Sequence, residues 1–298
     1  MPFRPLILGT RGSTLALKQA EIVMNALKLV EPSIVIETRI IQTHGDVNLQ
    51  PIPLDTIGKG WFTQEIERAL LENDIDLAVH SLKDMADDMP AGLVIGGYLP
   101  REDARDVLIT KQGEPMEQLR TGAVIGTDSA RRQVQMTALL PGVEMKSLRG
   151  NVLTRLEKLS SGEYDAIILA AAGLKRLGLE NRITRYFEPH EIVPAPGQGI
   201  LAVQIRQDDA ALQSLLTRIN DEDATLTAQI ERAFSRTVGG GCKAPTGAYA
   251  TIEDDICILT GMIVGSTGEI LHETMQLPRS QSAELGPALA KTLLARRT

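Results

Sequence analysis

The stretch around which the rest of the chain can be arranged is Leu77-Ala78-Val79-His80-Ser81-Leu82-Lys83-Asp84. Its first three residues are apolar and typical of a buried strand, and polar side chains follow at once, where a strand would end. In open α/β sheets, ligands bind just outside the carboxyl ends of the strands. The sequence therefore predicts chemistry at Lys83 and Asp84. The alternative is a solvated loop that carries two unrelated charges.

Composition limits the classes of function that need consideration. The chain has 298 residues, enough for two or three domains, and a net charge of −7 that argues against general binding to nucleic acid. Cys242 and Cys257 are its two cysteines, and their spacing suits neither a zinc site nor, in a reducing compartment, a disulfide. No apolar run reaches the length of a membrane span, and the first residues lack a secretion-signal pattern. These features predict a cytoplasmic protein.

Apolar runs at strand and helix spacing alternate through the first two thirds of the chain. Strands are predicted at residues 6–8, 34–43, 77–79, 93–95, 106–110, 123–126, 143–148, 165–170 and 201–206. Helices are predicted after Ser13 and at residues 61–72, 130–140, 152–159, 171–177, 208–219 and 223–236. This alternation favours parallel or mixed sheets covered on both faces. No internal sequence repeat is evident.

Two segments rich in proline and glycine are candidates for movement: the long loop 44–60, which carries Lys59, and a crossover at residues 194–199. After residue 245 the pattern changes to strands at residues 247–254, 256–264 and 270–277, followed by a helix at 282–295. The C-terminal part is therefore predicted to be a small α+β unit.

Several cations lie near predicted turns, two groups of them at helix starts. Gly126-Thr127-Asp128-Ser129 precedes a helix with Arg131 and Arg132, and Leu148-Arg149-Gly150-Asn151 precedes one with Arg155. A cation at a helix N-terminus opposes the helix dipole, which predicts a bound anion; the alternative is solvated arginines on helix faces. Arg11, beside the helix-capping Ser13, marks another anion candidate. Such a set suits a ligand with several carboxylates, or a phosphate.

Cys242 follows three glycines, so its thiol is a candidate nucleophile that Lys243 would help to ionise. The alternative is a small apolar cysteine beneath a flexible loop. The four histidines show no metal-ligand spacing, so no metal site is expected.

The motifs in chain order resemble those of the porphobilinogen deaminase family, also called hydroxymethylbilane synthases, across nearly the whole chain. They are Arg11-Gly12-Ser13-x-Leu15-Ala16-Leu17, Thr43-x-Gly45-Asp46, Lys59-Gly60-x-Phe62, Val79-His80-Ser81-x-Lys83-Asp84, Arg101-Glu102-Asp103-x-Arg105-Asp106, Gly126-Thr127-x-Ser129-x-Arg131-Arg132, Leu148-Arg149-Gly150-Asn151-x-x-x-Arg155, Ala172-Gly173-Leu174-x-Arg176 and Gly240-Gly241-Cys242-x-x-Pro245.

The resemblance implies an α/β protein of three domains, the first two similar to type II periplasmic binding proteins and the third a small α+β domain. The implied boundaries are residues 1–99 with 195–218, residues 100–194, and residues 219–298. It also implies an enzyme that joins four porphobilinogen molecules head to tail with loss of ammonia and releases hydroxymethylbilane by hydrolysis. The primer would be a dipyrromethane cofactor held covalently through Cys242. A monomer without nucleic-acid or membrane partners is implied as well.

The resemblance further implies roles for individual residues. Asp84 would be the catalytic carboxylate, close to a pyrrole nitrogen that becomes positively charged. The cofactor-binding residues would be Cys242, Lys83, Ser81, Thr127, Ser129, Arg131, Arg132, Arg149, Arg155 and Lys59. The substrate-binding residues would be Arg11, Ser13, Phe62, Arg149, Arg155 and Arg176.

Four residues depart from what is common in the family. Asp128 replaces a small hydroxyl residue, Asp55 stands where some relatives have a lysine, and Ala86 and Ala104 replace prolines. Two other functions remain as alternatives: a non-catalytic binding protein for an anionic metabolite, and a phosphoribosyl transferase on a similar fold. The second would need a phosphate loop with acidic partners, which the sequence lacks.

Overall fold

The computed structural model describes residues 4–47, 63–239 and 245–297. The chain divides into two compact units. Unit 1 comprises Met1–Arg101 and Ile200–Leu226, and unit 2 comprises Glu102–Gly199 and Thr227–Thr298. The chain therefore leaves unit 1 once and returns to it before the C-terminal segment.

Unit 1 is built on a five-stranded sheet with helices. Its elements are β1 (Leu6–Thr10), α1 (Thr14–Val30), β2 (Ile36–Ile40), α2 (His44–Val47), α3 (Gln64–Leu71), β3 (Leu77–Ser81), β4 (Leu93–Tyr98), β10 (Leu201–Arg206) and α7 (Ala210–Thr217). The strand order is β2-β1-β3-β10-β4. β1 is parallel to β2 and β3, whereas β10 is antiparallel to both of its neighbours.

Local sequence explains where the main helix of unit 1 starts and which face it buries. The Ser13 hydroxyl accepts a hydrogen bond from the Ala16 N–H at 3.3 Å, which satisfies one of the free donors in the first turn of α1. Val23 and Leu27 recur at helical spacing and are fully buried in the same core cluster as Leu8 of β1 and Leu77 of β3. Burial of a side chain of this size stabilises the fold by roughly 1.5–3 kcal/mol.

Unit 2 contains a second five-stranded sheet. Its elements are β5 (Asp106–Thr110), β6 (Val124–Gly126), α4 (Ala130–Leu139), β7 (Glu144–Lys146), α5 (Val152–Ser161), β8 (Ala166–Ala170), α6 (Ala171–Arg176) and β9 (Arg185–Tyr186). The strand order is β7-β6-β8-β5-β9. β6 is parallel to β7 and β8, and β5 is antiparallel to β8 and β9.

The two five-stranded sheets share one topology although no repeat is visible in the sequence. In each sheet, three parallel strands that are consecutive in sequence lie in the order β2-β1-β3 or β7-β6-β8. The next strand in the sheet is antiparallel to the third of them, and one further strand forms the edge. The antiparallel strand is β10 in unit 1 and β5 in unit 2. The predicted α/β class, with two similar α/β parts, is confirmed.

The C-terminal part of unit 2 is a three-stranded antiparallel sheet with two helices. It consists of β11 (Gly247–Glu253), β12 (Ile256–Val264), β13 (Ile270–Pro278), α9 (Ser282–Ala295) and α8 (Glu222–Val238), which begins in unit 1. α9 packs on β12 and β13. α8 and α9 approach so closely that a Cβ at Gly286 would lie 2.5 Å from the Ile230 carbonyl oxygen. A glycine is therefore required there.

Element positions agree with the sequence predictions for most of the described residues. One difference concerns loop 44–60, whose first residues form the short helix α2; residues 48–60 lie outside the described residues. The two-residue strand β9 was not predicted, because two residues are too few for a periodic pattern. The three-domain boundaries remain a prediction, since the compact units group the second α/β sheet with the C-terminal sheet.

Candidate active site

In unit 1, the central strand β3 delivers Asp84 to an exposed position at its carboxyl end. A 3₁₀ turn over Leu82–Asp84 follows the strand directly. Leu82 and Met85 are buried, and the Leu82 N–H donates to the Ile200 carbonyl at 3.0 Å. These contacts fix the turn, while Asp84 is exposed and Lys83 is half-buried. An exposed carboxylate on an anchored turn is suited to contact a ligand.

The residues predicted at the start of the chain lie at the same edge of the unit 1 sheet. β1 and β3 are parallel neighbours, so their carboxyl ends, which lead to Arg11 and Ser81, lie side by side. Gln19 of α1 donates from Nε2 to the Ser81 hydroxyl at 2.9 Å and so connects the helix to the strand end. Sequence analysis did not identify Gln19, although its buried position on an otherwise apolar helix face was a signal.

A buried polar network lies beneath this edge. The Nε2 of His80 and the Oε1 of Gln204 are 3.1 Å apart, and Gln204 Nε2 donates to Glu67 Oε1 at 3.2 Å. Burial lowers the pKa of His80 to about 4, although the hydrogen bond to Gln204 opposes that shift. Burial also raises the pKa of Glu67. The neutral imidazole, with Nε2–H as donor to Gln204, is therefore the form present at neutral pH.

In unit 2, Arg131 and Arg132 lie in the first turn of α4 and both are buried against Asp106. Arg132 donates to Asp106 Oδ1 from Nε at 2.9 Å and from Nη2 at 2.7 Å. Arg131 Nη1 lies 2.7 Å from Asp106 Oδ2. The prediction from the sequence that a bound anion offsets these two cations is corrected in part, because the Asp106 carboxylate of the protein does so. The alternative prediction, that Arg131 and Arg132 are solvated on a helix face, is wrong.

The charge balance of this cluster still leaves room for an anion. Two guanidiniums share one carboxylate, so the three side chains carry a single net positive charge. Burial lowers the pKa of Arg131 although Asp106 opposes the shift, and Arg131 Nε is buried without a hydrogen-bond partner among the described residues. An additional carboxylate would compensate this burial. The cluster therefore fits a polycarboxylate such as a dipyrromethane.

Arg176 is a half-buried cation whose charge is not fully compensated. Its Nη2 donates to the Gly199 carbonyl at 2.6 Å. Burial lowers its pKa to about 10, and the charge of Glu102 opposes that shift only partly. A guanidinium in this state binds a ligand carboxylate more strongly than a solvated one does.

Thr127 and Ser129 shape the turn that starts α4. The Ser129 N–H donates to the Thr127 hydroxyl at 3.3 Å, and the Ser129 hydroxyl caps the helix by accepting from the Arg132 N–H. The start of α5 carries Arg149 and Arg155, both half-buried. Arg155 Nε donates to the Gly150 carbonyl at 2.7 Å, and Arg149 Nε lies 3.3 Å from the Asp128 carboxylate. The departure at Asp128 thus has a structural partner.

Four predictions fall outside the described residues: Lys59, Phe62 and Cys242 as site residues, and Asp55 as a departure from the family pattern. Among the described residues, Arg11, Ser13, Ser81, Lys83 and Asp84 belong to unit 1, and Thr127, Ser129, Arg131, Arg132, Arg149, Arg155 and Arg176 belong to unit 2. No helix in the described part of the chain is long and apolar enough to cross a membrane.

These features define a class: an α/β protein with two five-stranded sheets of the same topology, an exposed carboxylate at a strand end and two buried arginines that share one carboxylate. The family model described as "Porphobilinogen deaminase, dipyromethane cofactor binding domain" matches residues 6–214. The model of the "Porphobilinogen deaminase, C-terminal domain" matches residues 225–295. The chain belongs to the porphobilinogen deaminase family.

Curated relatives agree with this assignment over almost their full length. The porphobilinogen deaminase of Syntrophobacter fumaroxidans is 42% identical, over 99% of this chain and 96% of the relative. Those of a Roseiflexus species and of Acetivibrio thermocellus are 44% and 45% identical, over 97% and 96% of this chain and 95% and 97% of the relatives. Among solved structures, the methionine binding protein MetQ is 12% identical with a TM-score of 0.45, over 76% of this chain and 94% of that one.

Proposed function

We propose that Asp84 in unit 1 and the arginines in unit 2 carry out, in this chain, the reaction of its family. The protein is a transferase of tetrapyrrole and heme biosynthesis that joins four porphobilinogen molecules head to tail, with loss of ammonia. It releases hydroxymethylbilane by hydrolysis. When bound, the dipyrromethane cofactor supplies a tethered pyrrole as the first acceptor.

Asp84 is proposed as the catalytic carboxylate. Loss of ammonia from porphobilinogen leaves an electron-poor pyrrole, and each coupling places positive charge on a pyrrole nitrogen. A fixed carboxylate stabilises that charge and can move a proton to or from the nitrogen. The anchored turn of Leu82 supports this role, because it presents Asp84 without requiring the strand to move.

The arginines are proposed to bind acetate and propionate groups. Each pyrrole ring carries both, so a growing chain is a polycarboxylate. The observation that carries the proposal is the buried Arg131, which shares the Asp106 carboxylate with Arg132 and whose Nε has no hydrogen-bond partner among the described residues. Thr127, Ser129 and Arg132 complete the cofactor side, with Arg149 and Arg155 serving both cofactor and substrate. Arg11 and Ser13 are proposed for the substrate, and Ser81 and Lys83 for the cofactor.

Three proposed site residues lie outside the described residues. Cys242 is proposed as the attachment point of the cofactor through a thioether, since a thiolate traps electron-poor pyrroles readily. Lys59 and Phe62 are proposed to contact cofactor and substrate, respectively. Tethering makes every coupling intramolecular, which removes much of its entropic cost.

Intact mass followed by peptide mapping tests the proposed function. A mass excess of two linked pyrrole units on the Cys242 peptide is the expected result, and Cys242→Ala should lack it. Arg131→Leu and Arg132→Leu should each give folded but largely cofactor-free protein. A chain that remains unmodified after incubation with porphobilinogen, and that releases no ammonia from it, would favour a binding protein for an anionic metabolite.

A monomer is also proposed, as the family resemblance implies, and the cytoplasm is proposed as its compartment. Light scattering coupled to size exclusion tests the first part. A mass near 32 kDa is expected, and a multiple of it would contradict the proposal.

A further inference from the structure

Asp106 occupies a position that its sequence neighbourhood does not reveal. It is the first residue of β5 and is fully buried. β5 runs antiparallel to β8, and Asp106 is paired with Ala170 at the carboxyl end of that strand. This pairing brings a carboxylate to the edge of the unit 2 sheet where α4 begins.

The carboxylate holds two guanidiniums at once. Oδ1 receives two hydrogen bonds from Arg132 and a third from Gln198 Nε2 at 3.0 Å. Oδ2 forms the ion pair with Arg131, whose geometry falls short of a hydrogen bond. Gln198 is itself held by the Ala104 carbonyl, to which its Nε2 donates at 2.6 Å. The orientation of the carboxylate is therefore fixed from more than one side.

Backbone carbonyls complete the positioning of the arginines. Arg131 Nη1 donates to the Val193 carbonyl at 2.5 Å, and Arg132 Nη1 donates to the Ile168 carbonyl at 3.2 Å. Arg131 Nε remains a buried donor with no hydrogen-bond partner among the described residues. Arg131 and Arg132 are thus held in one geometry. One N–H donor and a net positive charge remain available to a ligand.

We infer that Asp106 is a positioning residue, which orients the Arg131 and Arg132 guanidiniums to receive a carboxylate of the bound pyrrole chain. The inference rests on the proposed function of those arginines. A purely structural ion pair would need one arginine, whereas a second buried cation on the same carboxylate leaves a charge that the fold alone does not balance. Asp106 acts through the arginines and does not touch the ligand.

The first test removes the negative charge of Asp106 and keeps the shape of its side chain. Asp106→Asn should lower the fraction of cofactor-loaded protein at least about tenfold by intact mass, because its amide cannot orient both guanidiniums. Asp103→Asn is the matched control, since Asp103 belongs to the same stretch but pairs with Arg105 at 2.8 Å. Loading of the control should equal that of the unaltered chain.

Asp106→Glu separates orientation from charge and also covers the case in which Asp106→Asn fails to fold. It preserves the net charge but adds one methylene, which shifts the carboxylate relative to both arginines. Positioning predicts a loss of loading in folded protein, whereas a role in charge balance alone predicts normal loading. Normal loading of folded Asp106→Glu would overturn the inference.

A double-substitution cycle distinguishes positioning from general stability. Because Asp106 acts through both arginines, Asp106→Asn should lower loading by a smaller factor in the Arg132→Leu background than in the unaltered chain. Independent, multiplicative losses would overturn the inference.

Arginine Nε–H NMR signals give a readout that does not need cofactor. A distinct, slowly exchanging Arg132 signal should be present in cofactor-free protein and absent from cofactor-free Asp106→Asn. An unchanged signal in Asp106→Asn would contradict the positioning role. Failure of the unaltered chain to take up cofactor is a separate outcome, and it would refute the proposed function.

Discussion

Asp128 and Arg149 form an ion pair at the starts of two neighbouring helices, with Asp128 Oδ2 3.3 Å from Arg149 Nε. The Ser147 hydroxyl donates to the other oxygen of Asp128 at 2.6 Å and holds it in place. Asp128 thus provides an internal carboxylate for an arginine that is proposed to bind carboxylates of the ligand. Substrate has to compete with it.

We therefore expect Asp128→Ser to bind porphobilinogen more tightly. An ion pair this exposed contributes about 0.2–1 kcal/mol, so its removal should lower KM up to about fivefold with little change in kcat. Steady-state kinetics at low salt check the change. Glu144→Gln, which removes an exposed carboxylate outside this pair, is the control. An unchanged or raised KM in Asp128→Ser would show that the pair does not restrain Arg149.

Asp84→Asn should lose about 10²–10⁴-fold in turnover while it stays folded and retains its cofactor. The amide has the same shape but neither stabilises a cation nor accepts a proton. Ammonia release measures turnover, and intact mass measures cofactor. Asp88→Asn, on the same exposed segment, should turn over normally. Near-normal turnover in Asp84→Asn would remove Asp84 from the mechanism.

Glu231→Ala should destabilise unit 2 by at least about 3 kcal/mol. The buried carboxylate of Glu231 accepts hydrogen bonds from the Gly197 N–H at 2.6 Å and the Ala250 N–H at 2.7 Å, each worth about 1.5–3 kcal/mol as a charge-assisted bond. Urea unfolding measures the loss, and Gln229→Ala, at an exposed position of α8, is the control. Equal stability of the two variants would exclude this role for Glu231.

Acidification should destabilise the chain through His80. The unfolded side chain binds a proton near pH 6.5, whereas the folded one, with its pKa lowered to about 4, does not. Stability contributed by neutral His80 is thus present above pH 6.5 and is lost as the pH falls from 6.5 to 4, by about 3 kcal/mol in total.

His80→Gln, which cannot be protonated, should lose about 3 kcal/mol less than the unaltered chain between pH 7 and pH 4. Urea unfolding at the two pH values checks this difference. His272→Gln, at an exposed position, should behave like the unaltered chain. An equal acid loss in His80→Gln would show that the imidazole is not kept neutral by the fold.

Sequence periodicity predicted the elements that span several residues and have one buried face. The strand Asp106–Thr110, the strand Ile256–Val264 and the helix Ser282–Ala295 have the predicted bounds. The site was predictable as far as local motifs extend, as with Asp84 directly after its strand. The pairing of Asp106 with Arg131 and Arg132 could not be predicted from the sequence. These residues are brought together by the register of the strands and are distant along the chain.

The strand order of unit 1 has a consequence for synthesis on the ribosome. All strands of the five-stranded sheet of unit 2 lie within residues 106–186. In the sheet of unit 1, by contrast, β10 (residues 201–206) lies between β3 and β4. The part of the chain that emerges first therefore cannot close its sheet until about a hundred further residues have been translated. The sheet encoded second can be completed first, and a nascent chain arrested before residue 201 leaves β3 and β4 with unpaired edges open to association with other chains.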